Sequence, residues 1–233
     1  MTFLPSSPPW LRAAGWEQFP GLVHGFSRRL PDDVAGAGWW DGFVLRTVKQ
    51  VHGDRVILVS ARDGGESRPE ADGMMTADKG VLLGVATAVC VPVLLVEPHR
   101  RVAAALHAGW RGTLKGICAR AIGRLAADCG VEPRRLWVAL GPAIGACCYE
   151  VGREVGEALA RAWGGGGPPA WRPRGGKGFL DLRLVNRLQC ERLGVPPAQI
   201  RPVGECTFCD DTFASYRREG ARAGRQLSVV GWR

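Results

Sequence analysis

The sequence predicts one layered α/β (α+β) domain over residues 1–233, in which a mixed central sheet is flanked by helices. Three observations indicate this fold class. Short apolar runs bounded by glycine and proline are typical of strands, and longer segments repeat apolar residues every three or four positions as helices do. The two kinds of segment alternate along the chain. The 233 residues, 46% of them hydrophobic, suffice for one large core.

Seven short apolar runs are candidate strands. They cover residues 55–60, 81–88, 91–96, 102–106, 136–140, 200–203 and 226–230. The first fifty residues are rich in proline, glycine and tryptophan and show little periodicity, so no element is assigned to them.

Three segments have the periodicity of helices. The first follows a turn at 109–112 and ends at Gly130; its apolar face comprises Leu114, Ile117, Cys118, Ala121, Ile122 and Leu125. The others cover 153–163 and 182–193. The glycines at 164–167 break the second helix, and they predict a flexible surface loop.

The formal net charge is +9, which suits an anionic partner. Arginines are scattered along the whole sequence, with no basic helix interleaved with aromatic residues, so no nucleic-acid surface is predicted. A small phosphate-bearing substrate remains open.

The sequence also indicates a cytoplasmic location without a membrane segment. Pro5, Pro8 and Pro9 stand where a secretory signal would have its apolar core, which favours a reducing compartment for the eight cysteines. The longest uncharged apolar run, 80–96, is shorter than the ~20 residues that span a bilayer. We expect a monomer or a homodimer.

His52, Cys90 and His107 form a candidate metal site. His52 precedes a predicted strand, His107 follows another, and Cys90 lies between two more, so the three residues can converge. Two imidazoles and one thiolate suit zinc and leave a fourth position open, as in catalytic sites. Two alternatives stay open: ordinary packing residues, or a Cys90 thiolate nucleophile with His107 as its base.

Long motifs resemble the laccase-domain, or YfiH-like, family, whose members were once named polyphenol oxidases. The two longest are His-Ala-Gly-Trp-Arg-Gly at 107–112 and Gly-Pro-Ala-Ile-Gly-Ala-Cys-Cys-Tyr-Glu-Val-Gly at 141–152. Shorter matches lie at 50–53, 71–76, 206–207, 215–218 and 224–226, so the resemblance covers nearly the whole sequence.

The resemblance implies a fold like that of YfiH and the cytotoxic necrotizing factors. It also implies phosphorolysis of adenosine, inosine and methylthioadenosine to the free base and the ribose 1-phosphate, with adenosine deamination as a second activity. The family's metal ligands fall on His52, Cys90 and His107, with zinc as the expected ion and copper as the alternative.

Candidate catalytic and binding roles follow from these reactions. Arginines suit phosphate because the guanidinium fork matches its oxygens, and Arg111, Arg217 and Arg218 are the candidates. Deamination needs a carboxylic acid to move protons. Glu150 is the candidate, with Asp72 in reserve, so the predicted catalytic set is Cys90, His107, Glu150 and Asp72.

Two departures from the family pattern bear on this site. Val89 stands where the family has an acidic residue directly before the metal cysteine, which affects how tightly metal is held. The segment 26–48 is short and lacks the family's Asn-Leu-Gly motif and Asn-Arg pair.

The remaining cysteines are interpreted as structural. Cys118, Cys129 and Cys190 lie on or near predicted helices and are expected to pack as small apolar residues. Cys206-Thr207-Phe208-Cys209 has the spacing of half a zinc site, but the sequence contains no second Cys-x-x-Cys pair. The tandem Cys147-Cys148 is expected to have a backbone or pocket role.

Three rival functions remain. A copper polyphenol oxidase needs several histidine-rich copper sites, which four histidines cannot build. A Cys–His thiol hydrolase or amidase acting in peptidoglycan precursor editing is favoured by the toxin-like fold, and metal content would distinguish it. A non-catalytic module would bind nucleosides and leave them intact.

Overall fold

The computed structural model describes residues 10–29, 42–63, 68–164 and 169–233. Its strands are β1 (Leu22–Phe26), β2 (Val44–Arg46), β3 (Val56–Leu58), β4 (Gly73–Thr76), β5 (Val81–Thr87), β6 (Val91–Glu97), β7 (Val102–Ala108), β8 (Trp137–Leu140), β9 (Glu150–Gly152), β10 (Trp171–Arg174), β11 (Lys177–Leu180), β12 (Ile200–Pro202) and β13 (Gln226–Trp232). Its α-helices are α1 (Trp110–Leu114), α2 (Ile117–Cys129), α3 (Arg153–Trp163), α4 (Leu182–Arg192) and α5 (Tyr216–Glu219).

A six-stranded mixed sheet in the order β12-β8-β6-β7-β4-β3 forms the centre of the fold. Its middle strands pair antiparallel, whereas β12 and β3 at the two edges pair parallel to β8 and β4. A second sheet has the order β1-β13-β5-β2, and a small antiparallel sheet has the order β10-β11-β9. The mixed α/β class predicted from the sequence is confirmed.

Strand β7 shows how the layers pack. Ala104 and Leu106 belong to the hydrophobic core that the central sheet shares with α2 and α4. Ala103 and Ala105 belong to a second core, which lies between the central sheet and the four-stranded sheet. Because successive side chains of a strand alternate between its faces, His107 lies on the same face as Ala103 and Ala105. Burial on both faces explains the nearly unbroken apolar runs in β6 and β7.

All seven predicted strands and all three predicted helices are present. The predicted ends of every strand, and those of α3 and α4, lie within two residues of the observed ends. The first predicted helix is α2, and the residue that follows it, Gly130, has a φ of 62°. Helix α3 ends at Trp163, as predicted. Of the loop predicted at 164–167, residues 165–167 lie outside the described residues.

The prediction of a turn at 109–112 is wrong. Residues 110–114 form helix α1, which starts directly after Gly109, and the Thr113 amide donates to the Gly109 carbonyl at 2.8 Å. The hairpin of β10 and β11 is absent from the prediction, because its strands carry charged and exposed residues and lack an apolar run. The Gly175-Gly176 pair at its tip is a known hairpin signal.

Helical cysteines pack as predicted. Cys118 on α2 and Cys190 on α4 are buried, and the Cys118 thiol donates to Asn186 Oδ1 at 3.2 Å. Cys129, the last residue of α2, is partly buried. Within the described ranges, none of the helices has both the length and the apolar character needed to cross a bilayer.

His24 on β1 is a buried titratable group, with 3% of its surface exposed. Its Nε2 accepts a hydrogen bond from the Ala13 amide at 3.1 Å, and its ring lies 4.9 Å from that of Trp16. Burial, assisted by the charge of Arg12, lowers the pKa of His24 from 6.5 to about 4.

The lowered pKa of His24 predicts a loss of stability in mild acid. Between pH 6.5 and 4 the unfolded chain binds a proton at His24 that the folded chain does not, so the free energy of unfolding falls as the pH falls. The full difference corresponds to about 3 kcal/mol. Urea unfolding at several pH values measures it, and His24→Gln should flatten the profile. His99→Gln, at an exposed position, is the control; equal slopes in all three proteins would contradict the prediction.

Candidate functional site

A cavity of about 540 Å³ lies where several strands and loops end. Its wall comprises the segment before β3, the loop between β5 and β6, and the junction of β7 with α1. Tyr149, Tyr216, Arg217 and Arg225 close the other side. Five residues predicted from the sequence line this cavity: His52, Cys90, His107, Arg111 and Arg217.

The three predicted metal ligands converge in the cavity wall. One donor atom from each of His52, Cys90 and His107 lies within 4.8 Å of the others. The two imidazole rings meet edge to face, with centroids 4.8 Å apart. In a tetrahedral zinc site with bonds of ~2.0–2.3 Å, donor atoms lie ~3.3–3.8 Å apart, so a small closing movement fits these donors to one ion. The cluster can therefore hold a metal.

The buried Asp72 carboxylate positions both histidines. Its Oδ1 lies 2.7 Å from His107 Nδ1, which leaves His107 Nε2 for the cavity. The same carboxylate accepts hydrogen bonds from the consecutive amides of Val51, His52 and Gly53 at 3.2, 2.9 and 2.6 Å. These bonds hold His52 in the left-handed backbone region, with a φ of 59°.

Two glycines allow the parts of the site to approach each other. A Cβ atom on Gly109 would lie 3.1 Å from both Cys90 Sγ and the His52 ring. A Cβ atom on Gly112 would lie only 2.3 Å from the Gly53 carbonyl oxygen, closer than real Cβ contacts. Without side chains at these positions, α1 packs directly against the loop that carries His52.

Electrostatic interactions favour the charged forms of Cys90 and His107. Burial raises the pKa of the Cys90 thiol, but hydrogen bonds with His107 and His52 outweigh it and bring the pKa down to about 6. Burial lowers the pKa of His107, whereas its bonds to Asp72 and Cys90 raise it to about 9. Cys90 is therefore available as a thiolate near neutral pH, the form in which cysteine binds metals or attacks carbon.

The three arginines predicted to bind phosphate, Arg111, Arg217 and Arg218, differ in their positions. Arg111 and Arg217 line the cavity, and their guanidinium groups lie 4.4 Å and 5.3 Å from the ring centroids of Trp110 and Tyr149. Arg218 does not line it. The Arg218 guanidinium donates instead to backbone carbonyls at 207, 208, 210 and 213, and it pairs with Glu219 at 2.6 Å.

The two carboxylates predicted to transfer protons, Glu150 and Asp72, do not line the cavity either. Glu150 is the first residue of β9, and its carboxylate pairs with Lys177 on β11 at 2.9 Å. Neighbouring residues of an extended segment point to opposite sides. The side chain of Tyr149, the residue before Glu150, therefore reaches the cavity instead. Asp72 is fully buried behind His107 and reaches the cavity only through that ring.

Sequence reasoning missed several lining residues. Tyr149 lies inside a quoted motif and is buried, and this burial raises its pKa to about 12. Arg225 also lies inside a motif, whereas Arg68 carries no sequence signal. Val89, the departure from the family pattern, lines the cavity as an apolar side chain.

None of the four lining arginines forms an ion pair within the described part of the chain. Arg68 and Arg225 donate to backbone carbonyls of Val48 and of residues 223 and 224, and Arg217 donates to the carbonyl of residue 150 at 2.9 Å. A carbonyl neutralises no charge, so the cavity keeps a positive potential that suits an anion.

Known proteins resemble this chain in sequence. The family model described as "Multi-copper polyphenol oxidoreductase laccase" matches residues 38–233. The chain is 37% identical to "Purine nucleoside phosphorylase YlmD" of Geobacillus stearothermophilus over 194 residues, which cover 79% of this chain and 71% of that protein. It is 38% identical to "Adenosine deaminase RL5" from an unknown prokaryotic organism, covering 78% and 72% of the two chains.

Solved structures have the same architecture. The crystal structure of YlmD from Geobacillus stearothermophilus superposes with a TM-score of 0.87 and 30% identity, covering 99% of this chain and 98% of that one. The structure of Bacillus licheniformis YfiH also gives a TM-score of 0.87, at 26% identity, covering 97% and 98%. Matching motifs, sequence and fold lead to one conclusion: the chain belongs to the laccase-like, YfiH-related family of multi-copper polyphenol oxidoreductase laccases.

Proposed function

We propose that this protein is a zinc-dependent purine nucleoside phosphorylase that acts on adenosine, inosine or methylthioadenosine. The observation that carries the proposal is one cavity in which His52, Cys90 and His107 meet beside four arginines that form no ion pair with a described residue. Relatives named purine nucleoside phosphorylase support the substrate class.

Phosphorolysis replaces one bond at the anomeric carbon by another. A phosphate oxygen forms a bond to C1′ of the ribose while the bond from C1′ to the purine nitrogen breaks. The base leaves with the electron pair and takes up the proton that the hydrogen phosphate loses. In this proposal Arg111 and Arg217 bind the phosphate oxygens with charge-assisted hydrogen bonds. His52, Cys90 and His107 would hold the zinc, which would supply a Lewis acid when bound.

The other lining groups orient the nucleoside. The Trp110 and Tyr149 rings offer flat apolar surfaces for a purine, and Gln50 reaches the same wall. Asp72 accepts a hydrogen bond from His107 Nδ1 and so orients the ring with Nε2 towards the cavity, where the nitrogen would bind a metal once it has given up its proton.

Deamination fits the cavity less well than phosphorolysis. It requires a carboxylic acid that transfers protons to the purine, and the described lining residues include no aspartate or glutamate. Glu150 pairs with Lys177 instead. Phosphorolysis needs an anion site, which the arginines provide, so we place it first and retain deamination as the minor activity.

A metal-free thiol hydrolase is the second candidate, because the Cys90 thiol with its pKa of about 6 lies beside His107, as in Cys–His nucleophiles. Metal dependence separates the two candidates. A hydrolase of this kind would keep its activity after chelation and lose it on alkylation of Cys90.

The product assay tests the proposal directly. Incubation with adenosine, inosine or methylthioadenosine should release the free base and the 1-phosphate sugar only when inorganic phosphate is present, as followed by mass spectrometry. Cys90→Ser should abolish this release because it removes a zinc ligand. Cys129→Ser, outside the cavity, is the matched control. Base release in water alone would contradict phosphorolysis, and inosine as the main product from adenosine would favour deamination.

Removing the charge of Asp72 should weaken metal binding. Asp72→Asn keeps the size but removes the negative charge and replaces one acceptor oxygen by an NH2 donor, so the side chain cannot accept from His107 and all three amides together. Losses of this kind cost about 10- to 100-fold in metal affinity. Competition with a zinc chelator measures the change. Asp78→Asn is the control, because Asp78 also accepts a backbone amide, from Ala61 at 2.9 Å, without contacting His107. Equal zinc affinities in the two variants would refute the positioning role.

Arg111 should contribute to phosphate binding more than to nucleoside binding. Arg111→Gln removes charge-assisted hydrogen bonds, so we expect the KM for phosphate to rise roughly 10-fold or more, with a smaller change for the nucleoside. Steady-state kinetics with each substrate varied in turn measures this. Arg120→Gln is the control, because Arg120 pairs with Asp54 and lies outside the cavity. Equal effects on both KM values would argue against the assignment.

A further inference from the structure

We propose a second metal site, a structural zinc site with four cysteine ligands, outside the cavity described above. The Cys206-x-x-Cys209 pair has no second pair of the same spacing in the sequence. The structure supplies its partner as the tandem Cys147-Cys148, about sixty residues away in the sequence.

The sulfur positions match a tetrahedral tetrathiolate. All four Sγ atoms lie within 4.8 Å of one another. Cys209 Sγ lies 3.7 Å from Cys147 Sγ and 3.4 Å from Cys148 Sγ. Zinc–sulfur bonds of ~2.3 Å in a tetrahedron place the sulfur atoms ~3.8 Å apart, whereas a disulfide requires ~2.05 Å. The spacing is that of four ligands around one ion.

Backbone hydrogen bonds hold the two loops in place for this arrangement. The amides of Cys209 and Asp210 both donate to the Cys206 carbonyl at 3.0 Å, which closes a tight turn. The Gly145 amide donates to Cys206 Sγ at 3.2 Å, a bond that stabilises a thiolate. The Thr207 amide donates to the Ala143 carbonyl at 3.1 Å, so the two loops lie side by side.

Chemistry and position indicate what the ion would do. A tetrahedral set of sulfur ligands selects zinc among the common divalent cations, and four protein ligands leave no open position for a substrate. Tyr149 directly follows Cys148, and the carbonyls of residues 207 and 208 hold the Arg218 guanidinium next to Arg217. The ion would therefore fix the loops behind one wall of the cavity.

Metal analysis of the full-length protein tests this inference independently of the nucleoside chemistry. Elemental mass spectrometry after purification under reducing conditions should find two zinc ions per chain in the unmodified protein. Cys209→Ser should retain one, and so should Cys90→Ser, whereas the double variant should retain none. Cys129→Ser is the matched control and should retain two, because its thiol lies outside both clusters.

A second measurement uses the unmodified chain, so it does not depend on whether a variant folds. Titration with an organomercurial should release two zinc ions per chain. Cobalt reconstitution should give the charge-transfer absorption of a tetrathiolate, and this signal should persist in Cys90→Ser. One zinc per chain with the four cysteines freely alkylated would overturn the proposal. Disulfides among these cysteines, or iron instead of zinc, would also overturn it.

Discussion

The site depends on one buried carboxylate. Asp72 has no solvent exposure, and an unpaired charge there would cost several kcal/mol. Four donors offset that cost, and each of them has a consequence for the site. Three consecutive amides hold His52 in a backbone conformation that L-residues avoid by roughly 1–2 kcal/mol, and the fourth donor fixes the His107 ring. Two ligands from distant parts of the chain are thus oriented by the same group.

The third candidate ligand, Cys90, is positioned by strand register, in addition to its hydrogen bonds with the two histidines. Val91 pairs with Ala108 in the antiparallel ladder of β6 and β7, so Cys90, one residue earlier, lies beside the junction where β7 turns into α1. The central sheet is covered by helices on one face and by a second sheet on the other, which leaves the strand ends as the place where polar side chains can meet a cavity.

Five of the six central-sheet strands, together with α2, α3 and α4, could be predicted from the sequence, because burial on both faces, or on one helical face, leaves a strong apolar pattern. The prediction lacks β1 and β2, which lie in the irregular first fifty residues, β4 and β9, which are only four and three residues long, and the β10–β11 hairpin, which carries charge. The three candidate metal ligands could be named from the sequence because residue type and motif agree, and the structure brings their donor atoms together. The orientation of Glu150 could not be found, because it depends on the pairing of β9 with β11. The neighbours Arg217 and Arg218 likewise diverge only once α5 is in place.

The charge distribution around the cavity explains why the overall charge of +9 is a poor guide to function. Many arginines, such as Arg29, Arg120 and Arg218, are neutralised by carboxylates. The four that line the cavity are bound by carbonyls or stacked on aromatic rings within the described residues, interactions that orient a guanidinium without cancelling its charge. A positive charge on a bound metal would add to theirs, so this region would repel cations and favour a dianionic phosphate near the ribose. In the proposed function, selectivity for an anionic co-substrate would follow from which arginines have no carboxylate partner among the described residues, rather than from how many arginines the chain contains.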